Sequence, residues 1–107
     1  MKPQNHIDPV YSELKPHMKL AREIFSELIN INTTQNQGST RAAEAMAERL
    51  RKAGFPEGDV QLTGPRPQNM NLVARLRGTG KLKPVLFIVH LDVVEALSSD
   101  WSFDPFT

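Results

Sequence analysis

The stretch Pro84-Val85-Leu86-Phe87-Ile88-Val89-His90-Leu91-Asp92-Val93-Val94 carries the reading of this chain. Val85 to Val89 are all apolar, three of them β-branched, and they run straight into an imidazole and a carboxylate. Such a run predicts a strand buried on both faces, not a helix. Ending a buried strand on two ionisable groups is costly unless each finds a partner. In extended backbone residues i and i+2 share a face, so His90 and Asp92 should project together. A carboxylate that accepts one ring N–H leaves the other nitrogen to a metal, and the same pair suits acid–base work. The plainer alternative is a solvated structural pair. Placement at the carboxyl end of a strand, where α/β sheets bind ligands, raises the functional reading without deciding it.

Composition narrows the field around this stretch. The 107 residues suit one small domain or a piece of a larger one. Hydrophobic residues make up 39% and charged residues 23%, a globular balance. Thirteen basic against twelve acidic residues leave a net charge of +1, which recommends neither nucleic acid nor an anionic membrane as partner. With no cysteine, disulfides, thiolate metal sites and a cysteine nucleophile drop out together, and any metal must use His, Asp or Glu. No run is long enough to span a bilayer, and residues 1–10 lack the apolar centre of a signal peptide. The default expectation is a cytoplasmic protein, or a periplasmic or secreted one if a leader preceded Met1.

Upstream, residues 1–13, with Pro3 and Pro9 among polar neighbours, read as an extended lead-in, and His6 there has no clustered partner. Residues 14–107 form the domain proper. A helix is predicted from Pro16, which suits a first turn. Its apolar stripe is Met18, Ala21, Ile24, Phe25 and Leu28, expected to be core, with His17 facing solvent. Asn30 to Gly38 is a polar loop. Ser39 or Thr40 should cap a second helix that ends near Ala53 at Gly54, burying Ala43, Met46, Ala47 and Leu50. Arg41, Arg49 and Arg51 read as its solvated face, and Glu48–Lys52 as a supporting pair.

Strands are predicted over Asp59–Thr63 and Asn71–Arg77, separated by the breaker Gly64-Pro65-Arg66-Pro67. Too few residues separate Arg77 from Val85 for a parallel crossover, so those two strands should pair antiparallel. Gly78-Thr79-Gly80 lacks a phosphate-loop sequel. The fold class is α/β, two N-terminal helices packed on a mixed β-sheet. Beyond Asp92, Trp101, Phe103 and Phe106 are large apolar groups with no later element to cover them. They either fold back on the sheet or await a partner surface supplied by further chain, and the second is the expectation.

Six segments are informative together: Leu28-Ile29-Asn30-Ile31-Asn32-Thr33-Thr34, Gly38-Ser39-Thr40, Leu50 to Gly54, Asn71-Leu72-Val73-Ala74-Arg75-Leu76-Arg77-Gly78, His90-Leu91-Asp92-Val93-Val94 and Trp101-Ser102-Phe103-Asp104-Pro105-Phe106. The last two are the most specific. In this order and spacing the chain resembles the zinc-dependent aminoacylases, carboxypeptidases and succinyl-diaminopimelate desuccinylases. Val89 departs from the pattern, since many members carry glycine before the histidine.

The resemblance implies an incomplete, N-terminal portion of a zinc-peptidase catalytic domain. It implies two zinc ions in the complete enzyme, hydrolysis of peptide or N-acyl-amino-acid amide bonds, His90 as a metal ligand, and Asp92 as the carboxylate that orients it. The family's bridging aspartate, general-base glutamate, other acidic ligand and second ligating histidine match no residue here, and Glu95 and Asp100 do not replace them. The 107 residues alone are therefore expected to be inactive, to bind zinc weakly, and to self-associate or aggregate through an exposed sheet edge. The alternative is a non-catalytic remnant or a binding module that uses its Trp101–Phe106 loop.

Overall fold

Helix α1 spans Pro16–Ile29 in the computed structural model, which describes residues 13–107. The expected lead-in lies outside the described residues except for Glu13, which is helical. Pro16 occupies the first turn, where its missing N–H costs nothing, behind an extended Lys15. The Asn30 backbone and side chain close the other end, both donating to the Ser26 carbonyl at 3.2 and 2.9 Å. The apolar stripe was expected to be core, and here the structure differs. No α1 residue is buried; Phe25 is 65% exposed and Met18 44%, while Ile24 and Leu28 are half-buried. An ion pair from Glu27 to Arg49 ties α1 to the second helix. Amphipathic spacing states which face would be buried; it does not supply the opposing surface.

Helix α2, Thr40–Lys52, forms the core with two short strands, β1 (Val60–Thr63) and β2 (Asn71–Ala74). Ala42, Ala43 and Ala47 are fully buried, and Val60 is 2% exposed. Side chains this small let the helix axis approach the strands closely, while Met46 and Leu50 fill the margins half-buried. β1 and β2 pair antiparallel in the register Val60↔Ala74 to Thr63↔Asn71, and Arg75 N–H to Asp59 C=O at 2.9 Å extends the ladder. A two-stranded ribbon is marginal in water, so its stability depends on α2. The expected mixed sheet is thus a two-stranded antiparallel one, and β2 pairs with β1 rather than with Val85–Val89.

Turn chemistry sets the ends of α2. Gly54 at φ 97° lets Phe55 N–H reach Leu50 C=O and Gly54 N–H reach Arg51 C=O, the Schellman closure. At the other end neither Ser39 nor Thr40 caps the helix through its side chain. Thr40 Oγ1 instead donates to Pro67 C=O at 2.6 Å and accepts from Met70 N–H at 2.9 Å, stitching α2 to the loop between the strands. Gly38, at φ 75°, packs directly on that loop: a Cβ there would lie well inside contact distance of the Gln68 carbonyl oxygen. Arg49 and Arg51, expected on a solvated face, bind Glu27 and Glu57. Glu48–Lys52 forms as expected, at 3.4 Å.

Asp59 is the buried acid of this layer, 6% exposed. Arg77 donates to both of its oxygens, Nη2 to Oδ1 at 2.6 Å and Nε to Oδ1 and Oδ2 at 3.0 and 3.2 Å. Those hydrogen bonds hold the Asp59 carboxyl below its ordinary value; partial desolvation opposes them, and the charges of Arg77 and Arg75 reinforce them. Arg77 is raised by the same contact.

The largest departure concerns Val85–Val89. The segment has no ladder partner among the described residues, and Val85, Leu86, Phe87, Ile88 and Val89 are 78–85% exposed. A doubly buried strand needs neighbours on both edges and cover on both faces, and the α2–hairpin layer offers neither. The radius of gyration, 16.9 Å, accordingly exceeds the roughly 13 Å of a compact domain this size. Among the described residues no helix is long and apolar enough to cross a membrane.

Three outcomes are expected. Gly38→Ala should cost about 2–4 kcal/mol, combining left-handed backbone strain with overpacking. Gly54→Ala, with open space around its Cβ, should cost about 1–2 kcal/mol, and urea unfolding of the two variants reads the gap. A carboxyl depressed on folding contributes stability above its unfolded pKa, about 3.9, that is lost as pH falls through the lower folded value. Asp59→Asn should therefore lower the thermal midpoint at neutral pH and flatten its decline below about pH 4. Finally, each Leu, Ile or Phe left wet forgoes roughly 1.5–3 kcal/mol, and an open apolar edge templates pairing. Residues 1–107 should self-associate in sedimentation; a monodisperse monomer with one sharp unfolding transition contradicts this.

Candidate functional site

The loop joining α1 to α2 is locked by its own polar groups. Asn32 Oδ1 accepts from Thr34 N–H at 3.1 Å and Thr34 Oγ1 at 2.8 Å. The Thr34 carbonyl in turn accepts from Gln37 N–H at 2.9 Å and Gly38 N–H at 3.0 Å. Short side chains that bond nearby backbone favour such turns over helix. The result buries Thr33 and Thr34 to 2% exposure each.

From this anchor Thr33 reaches the segment that carries the candidate pair. Its Oγ1 donates to Leu91 C=O at 2.9 Å, and its carbonyl accepts from Val93 N–H at 3.4 Å. Those two groups belong to the peptides on either side of Asp92. His90 Nδ1 lies 3.0 Å from the Asp92 carbonyl oxygen and 3.4 Å from Asp92 Oδ1. Both neighbours are acceptors, so a neutral ring carries its proton on Nδ1 and keeps the lone pair on Nε2. Nε2 has no hydrogen-bond partner among the described residues. The pair is open to water, at 84% and 73% side-chain exposure, so its electrostatic contact alone stabilises the chain little.

His90 and Asp92 therefore lie side by side, on an exposed segment without regular secondary structure instead of the end of a buried strand. Asp92 borders a polar cleft of about 570 Å³ that Thr34, Ser39, Asn69, Asn71 and Glu95 also line. A second, apolar cleft of about 620 Å³ lies between the end of α1 and Trp101 and Phe106, with Leu28, Ile29 and Leu97 in its wall. Trp101 packs edge-on to Phe103, ring centroids 5.7 Å apart, yet they remain 48% and 62% exposed. Asp104 turns the chain at Pro105 by accepting Phe106 N–H at 2.9 Å.

The His90 ring offers one unengaged nitrogen to a metal. An imidazole with its Nδ1–H engaged and Nε2 free is the form zinc takes. A catalytic zinc normally has three protein ligands, and no three His, Asp or Glu side chains gather for a metal among the described residues. Sequence reasoning read residues 30–38 as a polar loop of turn formers and gave Thr33 no role of its own. Nothing in periodicity marks a buried threonine; its hydrogen bonds to residues far along the chain show only in three dimensions. No protein-family model, no curated protein and no solved structure matches the chain.

Proposed function

We propose that residues 14–107 are the N-terminal part of the catalytic domain of a dinuclear zinc-dependent amidohydrolase, acting on peptides or N-acylated amino acids. The observation that carries this reading is the His90 imidazole, its Nδ1 held between the carbonyl and carboxylate oxygens of Asp92 and its Nε2 unengaged. His90 is the metal ligand, and Asp92 fixes its tautomer and ring direction. When bound, zinc supplies polarisation of the scissile carbonyl and a water acidic enough to attack it at neutral pH. The other ligands and the general base lie outside the described residues in this reading. The run of exposed apolar side chains at Val85–Val89 supports it, because a sheet interior is where such a strand is stable.

The full encoded chain tests the proposal. Zinc should copurify with it, and dipeptides or N-acyl-amino acids should be hydrolysed. His90→Ala should displace metal and lower kcat/KM by at least about 100-fold, and Asp92→Asn should weaken metal binding about 10–100-fold. A folded full chain without zinc or amidase activity would instead be a non-catalytic relative. Residues 1–107 alone should bind zinc weakly and hydrolyse nothing. Tight stoichiometric zinc and amidase activity in that piece, lost in His90→Ala, would place the missing ligands within it.

A further inference from the structure

We infer that Thr33 is the positioning residue of the His90–Asp92 pair; this rests on the reading of His90 as a metal ligand. The geometry is a relay through one peptide. The Asp92–Val93 peptide gives its N–H to the Thr33 carbonyl at 3.4 Å and its C=O to His90 Nδ1 at 3.0 Å. In a trans peptide those groups point in opposite directions, so Thr33 and His90 hold opposite sides of the same plane. The preceding peptide is held too, its Leu91 carbonyl accepting Thr33 Oγ1 at 2.9 Å. With both peptides pinned, the φ and ψ of Asp92 have little freedom, which fixes the carbonyl that faces His90 Nδ1 and the direction in which the Asp92 side chain leaves the backbone.

Burial makes the hydroxyl effective. Thr33 is 2% exposed while His90 and Asp92 are open to solvent, so the pair gains no rigidity from its own packing. The Asn32–Gly38 loop that carries Thr33 is itself cross-bonded through Asn32 Oδ1 and the Thr34 carbonyl. Thr33 carries that rigidity over to the exposed segment. A valine at position 33 keeps the shape but leaves the Leu91 carbonyl without its donor, whereas serine keeps the donor.

The test uses the full chain with ¹⁵N-labelled histidine, at a pH where the imidazole is neutral, with the His90 signals assigned by their loss in His90→Gln. The wild type should show the Nδ1–H tautomer. Thr33→Val should shift His90 to a mixture of tautomers and weaken Zn²⁺ binding, read by chelator competition, about 10–100-fold. Thr33→Ser should restore both readings. A folded Thr33→Val protein with an unchanged tautomer overturns the inference, as does a serine variant that behaves like valine. If Thr33→Val does not fold, Thr33→Ala is read the same way, and failure of both to fold makes the residue purely structural and overturns the inference. The tautomer needs no metal, so a full chain devoid of zinc would defeat the hydrolase proposal while leaving the role of Thr33 to be judged on the imidazole alone.

Discussion

The close approach of α2 to the β1–β2 ribbon is the contact on which the described structure depends. Three alanines without accessible surface, Ala42, Ala43 and Ala47, face a ribbon too small to stand in water unaided. Everything else hangs from that layer. Thr40 stitches the loop between the strands to the start of α2, Gly38 lets backbone touch backbone there, and Arg77 closes over Asp59 at the ribbon's far end. Polar links do much of this work because so little apolar surface is enclosed.

That economy has a consequence for the candidate site. His90 and Asp92 stand on a segment with no ladder partner among the described residues, and Thr33 of the Asn32–Gly38 loop hydrogen-bonds the peptides on either side of Asp92. A metal-binding imidazole needs its tautomer and direction settled before the ion arrives. In the proposed reading that role falls to Thr33, whose contact with the Leu91 carbonyl spans a sequence separation of 58.

The hydrophobic side chains of Val85–Val89 and of α1 express a demand for burial that the described layer does not meet. The polar and apolar clefts open side by side along Val93 and Val94, which border both. An exposed apolar run flanks the polar His90–Asp92 pair, and the proposed amidohydrolase domain is one arrangement that would cover it.

Local signals were legible wherever the cause was local. Pro16 starts a helix and Gly54 ends one because their backbone preferences act within a turn, and the burial of Ala43 and Ala47 in α2 and the strands at Val60 and Asn71 follow from periodicity, whereas the burial of Ala42 does not. The i,i+2 spacing of His90 and Asp92 likewise announced a pair. Tertiary structure decided what needs a second surface: which strand pairs with β2, whether the stripe of α1 and the run at Val85 are covered, and which groups hold Asp92. Spacing along the chain states what a side chain would gain from burial or a partner. Only the folded layer decides whether that partner is within reach.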